Sequence, residues 1–388
     1  MYFPAGLTFK VSSQLDAAGL TDSAISGYGA TLALTAVVSS TKDDAKAVLQ
    51  LRNCTRVRVV GLTVRDTDRT YQYNGVRILS SQGIVVDGVA VHNVRFNGIA
   101  IFDAVPGTST NITITNCTAQ GTRFGISSNG DDVRITGNHV AMYWPSTSEG
   151  QSGLPWNGTT SDYFDGICVW TGGDRTVISG NTITECGQAG VYCNRVTNLV
   201  VTDNTVVGCV GRGIEVDGTD GRAYGVTITG NVLYNNHGNI NLIYTSYATV
   251  VGNRIENPDA AQAVTCVAVN TGTDRTTVVG NHARQAHATQ PALWVHDQST
   301  DVTLAWNEID AAVPYTAPAA AVVMERSGAG LITAAGSLKA TGKIIAVGGL
   351  GVGNSATAST PGTVVRKMEV FSSTGASLGW VPIYNAIS

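Results

Sequence analysis

The consecutive segments NTITECGQAGVYCNRVTNLVV (residues 181–201), TDNTVVGCVGRGIEVDG (202–218) and TDGRAYGVTITGNVLYNNHGNINLIY (219–244) write one pattern three times. A short β-branched run leads to an Asn, a second apolar run follows, and after a polar turn comes a glycine with alternating hydrophobes. A unit this short cannot bury its own apolar face, so the copies must stack on one another. The pattern extends in both directions. The marker Asn residues are Asn116, Asn138, Asn181, Asn204, Asn231, Asn253, Asn281 and Asn307, at intervals of 22, 43, 23, 27, 22, 28 and 26. Gly61 and Gly88 hold similar places upstream. The long interval reads as an insertion or as two irregular turns. A period in the twenties, carried by runs such as VRITG, TVISG and VTITG, predicts a parallel β-solenoid. Leucine-rich repeats share the length but need leucines at fixed offsets and a helix after the strand.

Composition agrees. Of 388 residues, 45 are Gly and 10 are Pro, only 13% are charged, and few apolar residues keep a helical spacing. The net charge of −4 and the lack of a basic run argue against nucleic acid and anionic membranes as partners. No apolar stretch reaches the ~18 residues of a membrane-spanning helix, and no signal peptide is visible. The seven Cys form no CxxC or Cys/His cluster and read as small core residues, with Cys186 and Cys209 one coil apart in a column. No cofactor or metal site is expected.

Side-chain alternation assigns the faces of the glycine-led strands. Inward lie Val76, Ile78, Ile99, Ile101, Ile167, Val169, Val191, Cys193, Ile214, Val216, Ile240, Leu242, Leu293 and Val295. Outward lie two columns. One runs Arg77, Ala100, Ser127, Cys168, Tyr192, Glu215, Asn241, Ala268, Trp294; its neighbour runs Leu79, Phe102, Asn129, Trp170, Asn194, Asp217, Ile243, Asn270, His296. The marker Asn residues belong at bends, where Asn tolerates left-handed backbone, and stacked they form a hydrogen-bonded ladder.

The opening residues YFPAG (2–6), FKVSSQL (9–15) and ISGYGATL (25–32) resemble the first coil of the pectate-lyase-like right-handed β-helix superfamily, as found in phage tailspikes. An acidic helical segment usually precedes that coil, which implies an upstream segment removed here. Near the other end, GLGVGNSA (349–356), PGTVVRKMEVF (361–371) and SLGWVPIY (377–384) are similar to a short C-terminal module of phage and prophage tail proteins. The resemblance implies an all-β, right-handed single-stranded parallel β-helix: entry strands at 1–35, the solenoid at 36–312, a transition at 313–330 and a β-rich module at 331–388 that caps the solenoid or holds a homotrimer. It also implies a virion tail location and a bacterial polysaccharide as partner.

The chemistry is sought on the outward stripe, where Trp170, Tyr192, Asn194, Glu215, Asp217 and Asn241 gather. Amides, aromatics and carboxylates on one strip suit a glycan. Glu215 and Asp217 sit two apart on one strand, so their Cα atoms are about 6.6 Å apart and the carboxyls span the range of retaining and inverting glycosidase pairs. Mutual repulsion would raise one pKa, as a general acid requires. The plainer reading makes them solvated charges or partners of Arg195 or Arg212. Asp165, at the end of an aromatic insertion from Met142 to Phe164, is a third candidate acid, and Trp144 and Trp156 in that insertion are candidate sugar platforms. Asp131 and Asp132 superficially resemble the acid pair of polygalacturonases, but the other motifs of that family are missing. Glu185, Asp203 and Asp220 read as turn residues. Glycoside hydrolysis of a surface polysaccharide is the favoured expectation. The alternatives are a lyase, with Tyr192 and Arg195 or Arg212 serving as base and neutraliser, and a glycan-binding adhesin without catalysis.

Overall fold

The computed structural model describes residues 1–35, 46–66, 73–94, 96–141, 164–318, 321–326, 332–335, 364–371 and 377–384. Each coil contributes one short strand to each of three sheets, and these strands pair in parallel with their counterparts one coil above and below; the third sheet adds short side strands and ends in an antiparallel pair of Val322–Arg326 with Ile332–Ala335. The sheets hold 12, 12 and 15 strands. The second sheet carries the glycine-led strands, among them Ile167–Val169, Val191–Asn194 and Ile214–Asp217, and continues through Ile240–Ile243, Val267–Val269 and Pro291–Val295. The array is the predicted parallel β-helix.

Its interior is one continuous apolar cluster, and all fourteen residues predicted to point inward belong to it. Alternation survives because the strands stack in register: Val191 pairs with Ile214 and Ile214 with Ile240. A slip of one residue would turn the whole set outward.

The glycines at the head of six successive second-sheet strands, Gly75, Gly98, Gly125, Gly166, Gly190 and Gly213, are explained by close approach. A Cβ at Gly125 would lie 2.5 Å from the Gly166 carbonyl oxygen, and one at Gly190 would lie 2.8 Å from that of Gly213 and 2.4 Å from Val206 Cγ1. Backbones of successive coils meet at these glycines with no room for a side chain, whereas the later coils carry Asn239, Cys266 and Ala292 at the same register position.

The Asn ladder runs unbroken from Asn138 through Asn181, Asn204, Asn231, Asn253 and Asn281 to Asn307. At each rung the Oδ1 of one Asn accepts from the backbone N–H and the Nδ2 of the Asn before it, as between Asn204 and Asn231, both at 3.0 Å. Asn138 bonds Asn181 directly, so the interval of 43 is a single coil with an insertion. Two expectations need correction. Asn116 is not a rung: it is exposed, its Nδ2 donates to Asp87, and Cys117 occupies the ladder position, its N–H donating to Asn138. Nor do the ladder Asn residues take left-handed backbone. The residue before each one does, among them Gly180 (φ 63°), Asp203 (φ 56°) and Trp306 (φ 54°), which frees the Asn to point into the stack.

All seven cysteines are free and buried, and Cys186 contacts Cys209 from the next coil. Met1–Gly336 forms one compact unit and Ser337–Ser388 another. In the second, Val364–Phe371 and Ser377–Tyr384 pair as an antiparallel hairpin.

Candidate functional site

Register brings together the outward residues read from the sequence. Cys168 pairs with Tyr192, Tyr192 with Glu215, and Glu215 with Asn241. In the neighbouring column Asn194 pairs with Asp217. Asn241 continues to Ala268 and Ala268 to Trp294. Coils spaced by ~4.8 Å therefore set these side chains in a strip along the helix axis, across the strands.

The upstream half of the strip is aromatic and packed. Phe96, Phe124, Cys168, Ala189 and Tyr192 form a cluster separate from the interior core, with Trp170 against it. Phe124 meets Trp170 edge-on at 6.1 Å, and Trp170 meets Tyr192 at 5.5 Å. The Arg123 guanidinium covers Phe96 and Phe124 at 5.7 and 5.4 Å. Trp170 donates from Nε1 to Ser127 Oγ at 3.0 Å. Trp170 and Tyr192 do face outward, but Tyr192 is only 8% exposed, so these rings form the floor of the strip more than a free platform.

The two carboxylates are set differently. Asp217 accepts the Thr219 N–H at 2.8 Å, the Thr219 hydroxyl, and the Tyr192 hydroxyl at 3.3 Å. Three donors thus hold Asp217 as an acceptor. Glu215 is half-buried and accepts one long bond, from Asn241 Nδ2 at 3.3 Å. Burial pushes its pKa above the ordinary range; the nearby Arg212 charge and the Asn241 bond oppose this, while Asp217 adds to it. Among the described residues neither carboxylate has an ion pair with Arg195 or Arg212. Burial, reinforced by the Asp217 charge, raises the Tyr192 phenol far above its usual value.

Asp165 is not where the sequence put it. It lies beneath the strip with no exposed surface, accepting the Ala189 N–H at 2.8 Å and the Cys168 thiol at 3.3 Å. Burial pushes its pKa from 3.8 up to about 7, and the Glu215 charge adds to the rise. It therefore tunes the floor and does not line the groove. Trp144 and Trp156 lie outside the described residues. Asp131 and Asp132 are engaged by Arg175, at 2.9 and 2.7 Å, which holds the Asp132 carboxyl below the usual range. Glu185 and Asp203 occupy left-handed turn positions, at φ 56° each.

Downstream of Glu215 the strip opens into a pocket of about 410 Å3 that sequence reasoning did not identify. Its walls include Arg212, Asn241, Asn270, Gln290 and Trp294. The dip at Ala268, between Asn241 and Trp294 in one column, was readable; the reach of Arg212 into it was not.

Two stretches of the chain, 47–255 and 166–337, match the family described as "Right handed beta helix region". The chain belongs to the right-handed β-helix family. A tail spike protein of Salmonella phage epsilon15 is 31% identical over 175 residues, which is 41% of this chain and 15% of that protein. The chain thus spans only a small part of that relative's length. Among solved structures, the Dettilon tailspike protein superposes with a TM-score of 0.63 at 20% identity, covering 80% of this chain and 62% of its own. Bacteriophage phi29 gene product 12, in its pre-mature form, gives 0.55 at 13% identity, covering 89% and 55%. The Streptococcus pneumoniae surface protein and adhesin PfbA gives 0.51 at 11% identity, covering 81% and 90%. At these identities the structural likeness speaks for the fold alone. Among the described residues no helix is long and apolar enough to cross a membrane.

Proposed function

We propose that this protein is the β-helix body of a tailspike-type polysaccharide depolymerase, acting within a glycan chain by hydrolysis. The sequence kinship to a phage tail spike protein supports a place in a virion tail. A bacterial surface polysaccharide is then the substrate class, and a homotrimer the working assembly. The observation that carries the reading is the asymmetry of the outward carboxylates. Glu215 keeps its proton to higher pH than an ordinary glutamate, and Asp217 is held by three donors as an acceptor. Glu215 accordingly protonates the departing glycosidic oxygen, and Asp217 acts as nucleophile or as base for water. Asn194 donates to the Tyr192 hydroxyl at 3.4 Å and Tyr192 in turn to Asp217, so Trp170, Tyr192 and Asn194 position the second carboxylate from below. The raised Tyr192 phenol disfavours the lyase alternative, in which Tyr192 would need to lose its proton.

The test is incubation with a panel of bacterial capsular and exopolysaccharides, following reducing ends and the ultraviolet absorbance of an unsaturated uronate. Reducing ends alone, lost in a folded Glu215→Gln protein, support hydrolysis. Both signals together make it a lyase. Binding without either signal makes it an adhesin.

A further inference from the structure

The pocket beyond Glu215 has a chemistry that the catalytic pair does not account for. Arg212 is the only charged residue among the described residues that line it. It precedes the strand of Glu215, and its guanidinium extends over the next coil. There Gly238 leaves it space: a Cβ at that position would lie 2.3 Å from Arg212 Nη1. Among the described residues the Arg212 side chain has neither hydrogen bond nor ion pair. A half-buried guanidinium with no hydrogen bond or ion pair among the described residues, near Glu215 but facing a pocket lined by no acid, is a preformed site for an anion; its planar fork suits a carboxylate.

The rest of the lining suits a sugar ring. Trp294 stands as the far wall, fixed edge-on against His296 at 5.4 Å, and lies three coils beyond Glu215, about 14 Å at ~4.8 Å per coil. Ala268 supplies the dip between them. Asn270 and Gln290 offer amides to hydroxyl groups. The pocket is also wired to the acid: Asn270 Nδ2 donates to Asn241 Oδ1 at 3.4 Å, and Asn241 Nδ2 to Glu215 at 3.3 Å.

We infer that this pocket is a subsite for a carboxylated sugar residue, with Arg212 pairing its carboxylate and Trp294 stacking on its ring, so that the glycan lies along the helix axis with an acidic residue on the C-terminal side of Glu215. This rests on the glycan reading above. The strip then prefers acidic polysaccharides, and the amide chain couples filling of the subsite to the orientation of Glu215.

The experiment uses the full chain and binding measured by calorimetry and tryptophan fluorescence. The probes are oligogalacturonate, oligomannuronate, hyaluronan fragments and polysialic acid, each beside its carboxyl-reduced form, with dextran and mannan as neutral probes. The expected result is binding to at least one acidic probe that weakens tenfold or more on carboxyl reduction. Arg212→Gln weakens it similarly and removes its salt dependence, Arg212→Lys recovers part, and Trp294→Ala weakens native and reduced forms alike. Equal affinity for native and reduced probes, binding to neutral probes alone, or no binding to any probe overturns the subsite. The two proposals fail separately: Glu215-dependent cleavage of neutral glycans only sinks the subsite and keeps the hydrolase, whereas Arg212-dependent binding of acidic glycans that are never cleaved does the reverse.

Discussion

Replacing Asp165 by Asn isolates the buried carboxyl under the strip. The folded protein holds this proton up to about pH 7, against an ordinary 3.8 in the unfolded chain. The folded state therefore binds more protons than the unfolded state between those values, and stability falls as pH rises through the window. Below about pH 4 both states are protonated and the contribution is fully present; above about pH 7 both are ionised and it is lost. About three pKa units at roughly 1.4 kcal/mol each give a loss of about 4 kcal/mol from this one group. The amide introduced by Asp165→Asn keeps an oxygen for the Ala189 N–H but cannot ionise, so the variant should lose that slope while remaining folded. The assay is guanidinium unfolding of both proteins, followed by tryptophan fluorescence from about pH 4 to about pH 8, with midpoints and unfolding rates recorded. Glu215, also raised, adds a slope of the same sign in both proteins and cancels in the difference apart from its repulsion with Asp165. Parallel curves for the two proteins would refute the reasoning, as would a wild-type stability that rises across the window.

Other outcomes follow from the same geometry. Glu215→Gln should cut depolymerisation by roughly 10²–10⁴-fold with an unchanged unfolding midpoint, checked by reducing-end release. The alkaline limb of wild-type activity should mark loss of the Glu215 proton, and removing the Arg212 charge in Arg212→Gln should move that limb to higher pH, since the guanidinium favours the ionised form; a pH–rate profile decides. Gly190→Ala drives a Cβ against Val206 and the Gly213 carbonyl and should cost about 1–3 kcal/mol by overpacking, read from the denaturant midpoint. Asn231→Ala removes the acceptor of the Asn204 N–H and one of the acceptors of its Nδ2, leaving the buried N–H unpaired at about 1–3 kcal/mol. The same change at Asn307, the half-buried last rung, should cost less because water can reach the freed groups.

What the sequence determined by itself is whatever the repeat translates directly into space. Parallel strands in register turn a residue's place in its coil into a place in a column. The inward set, the Cys186–Cys209 contact and the outward neighbours Tyr192, Asn194, Glu215, Asp217 and Asn241 were legible for that reason. Asn116 misled because it stands one residue before the true rung, and a marker chosen by residue type does not see a shift of one when Cys117 fills the ladder position. The tertiary structure decided what is not periodic. Asp165 follows an insertion, and only the fold shows that it turns under Ala189 and Cys168 instead of reaching the groove. Arg212 sits in a turn, and its direction is set by the space left at Gly238 one coil away. The pocket at Ala268 needs walls from Gln290 and Trp294 as well as Arg212, contributed by residues about 80 apart in the chain. Long side chains and irregular connections take their paths from neighbours brought close by stacking, and that information lies in no single repeat.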